Sequence, residues 1–164
     1  MKYVACIGSR ILDIEEQKLC FRIGQFLSQG YIIKTGNAKG ADQAYARGVN
    51  SIDPSKVRLY LPWKDYNIGN VVEGNVIACL KPKIKWYSVV KDLHLTYDTL
   101  SYGAKTLHAR NVGIVEDVDF VVAFPNKTNG GGTVMGIRIA LKNNITVYNL
   151  RENKDLEYWK NIVG

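Results

Sequence analysis

The chain has 164 residues, 46% of them apolar and 23% charged, with a formal net charge of +7, which supports one globular domain with a real core rather than two. No run is long and apolar enough to span a bilayer and the N-terminus lacks a basic-then-apolar leader, so no membrane partner and a cytoplasmic location are expected. The positive charge is spread along the chain rather than gathered in a tail, and it favours an anionic partner without saying which.

In chain order, "YVACIG" (3–8) is a continuous apolar run of strand length, as a strand covered on both faces requires. Asp13 reads as an N-cap with Glu16 three residues on to complete a capping box. Leu19, Ile23, Phe26 and Leu27 then share one helical face, and Gly30 supplies the stop. "YIIKTG" (31–36) is the second strand and "VRLYLPW" (57–63) the third. The helix between them begins near Ala41 and has a small face of Ala41, Ala44 and Gly48, with Tyr45 beside it, suited to close packing on the sheet.

Residues 67–97 break the alternation of strand and helix. Within them "KPKIKWYSVVK" (81–91) mixes bases, proline and aromatics and reads as a hairpin or a lid. Leu100, Ala104, Leu107, Asn111 and Val115 fall on one face of a further helix. "DFVVAF" (119–124) is a clear strand, and "GGGTVMGIRIALKNN" (130–144) opens with glycines and continues as a helix with Val134, Ile137 and Leu141 inward. "ITVYNL" (145–150) is the last strand, and Leu156, Trp159 and Val163 mark a closing helix. Strand and helix in alternation predict an α/β fold, a doubly wound and mostly parallel sheet flanked by helices.

Cys6, Cys20 and Cys79 are odd in number, widely spaced and set in apolar patterns, as buried free thiols are. With only His94 and His108 beside them, no metal-ligand spacing exists. Neither a Walker A loop nor a complete dinucleotide fingerprint is present, so a P-loop NTPase and a conventional NAD enzyme are set aside, and no cofactor is expected.

Ligands of doubly wound sheets bind beyond the carboxyl ends of the strands, where the strand order reverses. Three loops leave such ends: "GSR" (8–10), "GNAKGAD" (36–42) and "PNKTNGGGT" (125–133). Glycine lets the backbone approach a phosphate, and the free amides of the following helix point at the anion. In the second loop Gly36 and Gly40 flank Lys39; in the third, Gly130, Gly131 and Gly132 precede Thr133, whose hydroxyl suits a cap or a phosphate oxygen. Any one such loop is also ordinary turn chemistry. Three of them, all at expected strand ends, point to a nucleotide site.

"IGSR", "TGNAKGADQAYARG", "LPWKDY", "ARN", "VDFVVAFPN" and "GGGT" occur in the order seen in the SLOG superfamily of Rossmann-like proteins. Over most of residues 3–150 the chain resembles that group, and within it the YspA-like branch. The resemblance implies binding of a nucleotide or nucleotide derivative across these loops. By position it assigns Gly8, Ser9 and Arg10 to the first loop, and Gly36, Asn37, Lys39, Gly40, Ala41 and Asp42 to the second. Trp63 has a nearby aspartate, Arg110 and Asn111 match an Arg-Asn pair, and Pro125, Asn126, Gly131, Gly132 and Thr133 match the last loop. Relatives include cytokinin-activating phosphoribohydrolases, which cleave an N-glycosidic bond, and DprA-type proteins, which bind single-stranded DNA. A homodimer is a modest expectation from the same source.

Two departures bear on function. The phosphoribohydrolases carry a glutamate three residues after the loop threonine, and Gly136 stands there in this chain. A glycosidase needs a carboxylate, and Asp42, Asp65 and Asp98 are the substitutes within reach of the motifs. The interval from Trp63 to Arg110 is also longer than the family's and contains the basic-aromatic segment.

Several residues carry two readings. Arg10 is a phosphate clamp or a surface partner of Glu15 or Glu16. Lys39 reaches a phosphate or solvent, and Asp42 is a helix N-terminal acid or a catalytic group. His108 is a surface or packed histidine or a general base. Trp63 and Tyr66 stack on a base or pack at the sheet edge. Lys81, Lys83 and Lys85 with Trp86 and Tyr87 form a solvated hairpin or a platform for single-stranded nucleic acid.

Overall fold

The computed structural model describes residues 2–128 and 130–164. Six strands form one wholly parallel sheet: β1 (Tyr3–Gly8), β2 (Ile32–Thr35), β3 (Val57–Tyr60), β4 (Val76–Cys79), β5 (Phe120–Phe124) and β6 (Thr146–Asn149). Their order across the sheet is β4-β3-β2-β1-β5-β6, so the winding reverses between β1 and β5. Helices α1 (Ile14–Leu27), α2 (Ala41–Asn50) and α6 (Asn153–Val163) cover one face. Helices α3 (Ile84–Leu93), α4 (Tyr102–Val115) and α5 (Gly132–Lys142) cover the other. The result is the doubly wound, Rossmann-like α/β fold expected, with every strand-to-strand pairing parallel.

The central strands are apolar throughout because both faces are buried: Val4, Cys6, Val122 and Phe124 enter one core, and Ala5, Ile7, Val121 and Ala123 the other. Helix α1 starts on the Asp13–Glu16 capping box, with Glu16 N–H on Asp13 Oδ1 at 2.8 Å and Asp13 N–H on Glu16 Oε1 at 3.0 Å. Helices α1 and α2 meet backbone to backbone. A Cβ on Gly48 would overlap the Phe21 carbonyl oxygen, and one on Gly24 the Tyr45 carbonyl oxygen. The small face of α2 is thus divided: Ala41 lies against Gly8 at the end of β1, and Gly48 lies against α1. The three cysteines are free and buried.

Four expectations change. Helix α1 ends at Leu27 with Ser28 as its cap, and Gly30 only closes the turn that follows. Helix α5 buries Met135, Gly136, Ile139 and Ala140; of the residues expected inward, Ile137 is partly buried against the same core, Val134 is half-buried and Leu141 is 60% exposed. Both stripes of that helix are apolar, and Gly136 decides the phase because it lets the backbone close onto Ile7. On α4 the core takes Thr106, Ala109, Val112, Ile114 and Val115, whereas Ala104, Leu107 and Asn111 face a cavity, and Leu100 precedes the helix. Segment 67–97 is neither hairpin nor lid: it supplies the edge strand β4 and helix α3. Trp86 is 3% exposed there, its ring filling the space that the missing side chain of Gly113 leaves on α4.

Candidate functional site

The carboxyl ends of β1 and β5 stop side by side, with the Ser9 amide on the Phe124 carbonyl at 2.8 Å. Above them opens a cavity of about 290 Å³, at the lower edge of the size of small-ligand pockets. The first loop contributes Gly8, Ser9 and Arg10, the second Ala38 and Asp42, and the third Asn126 and Gly130 to Thr133. Tyr66, Leu107, His108, Arg110 and Asn111 complete the wall. Asn129, inside the third loop, lies outside the described residues.

The buried end of the cavity is built around Arg110. Its Nη1 donates to the Gly36 carbonyl at 2.6 Å and the Tyr60 carbonyl at 3.1 Å, and its Nε donates to Asn111 Oδ1 at 3.0 Å. One guanidinium from α4 therefore ties together the ends of β2 and β3. Gly36 is required at this meeting point, since a Cβ there would stand 2.6 Å from Arg110 Nη1 and 2.9 Å from Asp42 Oδ2. Asn111 Nδ2 donates in turn to the Gly132 carbonyl at 3.2 Å, which fixes α4 against the start of α5.

Asp42 is 5% exposed. Its Oδ2 accepts the Ala38 amide at 3.3 Å, and its Oδ1 is buried without a hydrogen-bond partner. Burial pushes the Asp42 carboxyl up to about 6, with Arg110 and the amides of Ala38, Gly36 and Gly8 opposing the rise. Burial likewise pulls Arg110 below the ordinary guanidinium range, and Asp42 and Tyr66 oppose that shift. The His108 ring is held below 6.5 by burial, then by His94 and Arg110.

The two glycine-led helix starts differ. At α2, N-cap Gly40 has φ +84° and presses on Ser9, and the first amide, of Ala41, is already bonded to the Ser9 carbonyl at 3.1 Å. At α5, N-cap Gly131 has φ +91°, a Cβ there would meet nothing, and no side chain caps the helix. Gly130 to Thr133, at the start of α5, line the cavity, and the first amides of a helix have no partner within it.

The remaining sequence-derived residues divide as follows. Gly36, Asn37, Gly40 and Ala41 shape the second loop without lining the cavity. Asn37, at φ +62°, bonds through Nδ2 to the carbonyls of Tyr66 (3.2 Å) and Asn67 (2.9 Å). Lys39 is exposed and outside the cavity. Trp63 is 41% exposed and leans edge-on against Tyr66, which does line the cavity. Asp65 and Asp98 are exposed and away from it. Ser9 spends its hydroxyl on the Ile11 backbone, and Pro125 presents its carbonyl to Arg151 Nε at 2.6 Å. Glu16 pairs with Arg151, not with Arg10. Ala104, Leu107 and Asn111 share one face of α4, as expected, and that face lines the cavity; the sequence offers no signal for Arg151. No motif marks Arg151, because its partners Glu16 and Pro125 are distant in sequence.

The fold and site define a class: a Rossmann-like α/β protein with a cavity of mixed polar and apolar lining at its topological switch point. No family model and no curated protein sequence matches the chain. Solved structures do. DNA processing protein A from Helicobacter pylori is similar at a TM-score of 0.64 and 17% identity, over 99% of this chain and 78% of that one. The molybdenum cofactor binding protein of Rippkaea orientalis gives 0.59 and 19%, over 99% and 84%. The protein TM1055 gives 0.58 and 19%, over 90% and 72%. At these identities the shared property is the fold.

Proposed function

We propose that the cavity binds a nucleotide or nucleotide derivative, with a phosphate at the start of α5 beside Arg10. Asp42, Asn111 and Tyr66 then receive the sugar and base. The observation that carries this reading is the pairing of opposite chemistries in one cavity. An uncapped helix start offers donors to an anion, and the Asp42 carboxyl that lines the same cavity is an acceptor for hydroxyl or N–H donors. A nucleotide has both ends. The ordered SLOG-like motifs support the same reading, as does the fold shared with proteins described as binding single-stranded DNA and the molybdenum cofactor.

The test is calorimetric titration with the 5′-monophosphates of the four common ribonucleosides, alongside mass spectrometry of any small molecule released on denaturing the purified protein. Saturable binding that weakens in Arg10→Gln supports the reading. No binding by any of the four, with no released nucleotide, refutes it.

Asp42 also favours a second reading, N-glycosidic cleavage of a nucleoside monophosphate, because it is the one carboxylate among the described residues lining the cavity. In that reaction it would stabilise the oxocarbenium-like transition state. Free base released from a bound monophosphate, and lost in Asp42→Asn, is the expected sign; binding without base release overturns it. Single-stranded DNA binding through residues 81–91 has weaker support, since Trp86 is buried rather than offered for stacking.

A further inference from the structure

A second cavity, of about 160 Å³, adjoins the first and shares His108, Gly130 and Gly131 with it. Its other walls include His94 on the turn after α3 and Arg138 on α5. The two imidazole rings lie 5.2 Å apart, centroid to centroid, and tilted by 57°. His108 Nδ1 is buried and has no hydrogen-bond partner. Arg138 is exposed and makes no ion pair among the described residues. No acid is among the described residues that line this space. One guanidinium and two imidazoles, with Val134 and Met135 beside them, therefore line a recess in which Arg138 supplies the charge and no acid opposes it; His94 Nδ1 already accepts the Thr96 amide at 3.2 Å.

Structural histidines and arginines of a closed core are normally paired with acids or carbonyls. This cluster is open to solvent and continuous with the cavity read above as a phosphate site. The start of α5 is its shared wall, so an anion held by the Gly130–Gly131 turn in the first cavity borders the second directly. A guanidinium binds phosphoryl oxygens in pairs, and an imidazole donates or accepts there.

We propose that the second cavity holds a second phosphoryl group of the same ligand, so that the ligand is a nucleoside diphosphate or a diphosphate-linked derivative. This inference rests on the nucleotide reading of the first cavity. In that arrangement Arg138 and His94 are specificity residues: they touch only the group that a monophosphate lacks. His108, at the junction, serves both positions.

The experiment compares the 5′-mono- and 5′-diphosphates of the same ribonucleosides by calorimetry, with the wild-type chain and the variants Arg138→Gln, His94→Gln and Lys142→Gln. The diphosphate should bind about tenfold more tightly than the monophosphate. Arg138→Gln should remove most of that advantage while leaving monophosphate affinity within about twofold, and His94→Gln should act in the same direction. Lys142, exposed at the end of the same helix, controls for loss of one positive charge. Equal affinity for the two phosphates, or an equal loss in Lys142→Gln and Arg138→Gln, overturns the inference while leaving monophosphate binding intact. Failure of all nucleotides to bind overturns the underlying reading and the inference with it. Circular dichroism and an unchanged monophosphate titration show that each variant is folded.

Discussion

Replacing Asp42 by asparagine tests whether the cavity keeps a carboxylate at a cost in stability. The carboxyl is buried and sits at about 6 against an ordinary 3.8. Each pKa unit is about 1.4 kcal/mol, so the ionised group costs the folded chain about 3 kcal/mol. The sign follows from proton binding. Below pH 3.8 the group is protonated in both folded and unfolded chains and favours neither. Between 3.8 and about 6 the folded chain holds the proton more tightly, so stability falls as pH rises. Above about 6 both states are ionised and the full cost stands. Asp42→Asn removes this titration, so the stability of the variant minus that of the wild type should climb by about 2.4 kcal/mol between pH 4 and pH 7.5. A constant offset from placing an amide beside the Ala38 N–H does not alter that climb, and every other titrating group is common to both proteins. Urea unfolding in pH steps, followed by the fluorescence of the buried Trp86 and Trp159, measures it. A difference that stays flat within about 1 kcal/mol would show that Asp42 does not carry the raised pKa, and would remove the argument that the cavity stores an unsatisfied acceptor.

Four further outcomes follow from the geometry. Arg110→Met leaves the Gly36 and Tyr60 carbonyls and the nearby Asp42 without their buried cation, and should cost about 3–5 kcal/mol in urea unfolding; a loss under about 1 kcal/mol contradicts its role as the tie between strands. Gly48→Ala forces a Cβ onto the Phe21 backbone, so the α1–α2 contact must open, and the melting temperature should drop by an amount equal to about 1–3 kcal/mol even though alanine is the better helix former. Gly131→Ala places a side chain at φ +91° for about 1–3 kcal/mol of strain, and nucleotide affinity should fall because the helix start moves. Finally, Arg10→Gln should weaken nucleotide affinity about tenfold while Lys39→Gln changes it less than about twofold, because Arg10 lines the cavity and Lys39 does not; the reverse order would move the phosphate to the second loop.

What the sequence made legible is what local physics determines. The capping box at Asp13 and Glu16, the apolar runs of β1 and β5 and the glycine start of α5 each follow from a few adjacent residues, and each occurs where expected. The errors have one cause. A helix with two apolar stripes, as in α4 and α5, is phased by what it packs against, and periodicity does not contain that information. So Leu141 is expected inward and is exposed, and the shared face of Ala104, Leu107 and Asn111 lines the cavity. Residues 81–91 were opaque for a related reason. Lysines dominate the local pattern, and the feature that makes it a helix, Trp86 filling the notch at Gly113, joins positions 27 residues apart.

The loop "GNAKGAD" looked like one wall of a phosphate site, and its geometry argues for a different task. The first amide of α2 is bonded to the Ser9 carbonyl, Lys39 is exposed and lines no part of the cavity, and the charged residue of the loop that does line it is the acid Asp42. A carboxylate at that position repels a phosphate rather than holding one. Gly36 instead gives Arg110 and Asp42 a common place to converge, and Asn37 binds the 66–67 turn that carries Tyr66. The cavity is therefore polarised, with donors at the α5 end and an acceptor at the α2 end about one strand away, since β1 lies between β2 and β5. A symmetric anion such as free phosphate would use only one end. A molecule with a phosphate at one end and hydroxyl or N–H donors at the other uses both, in one orientation only. That polarity, more than the number of glycine loops, favours a nucleotide over a bare anion or a nucleic-acid backbone.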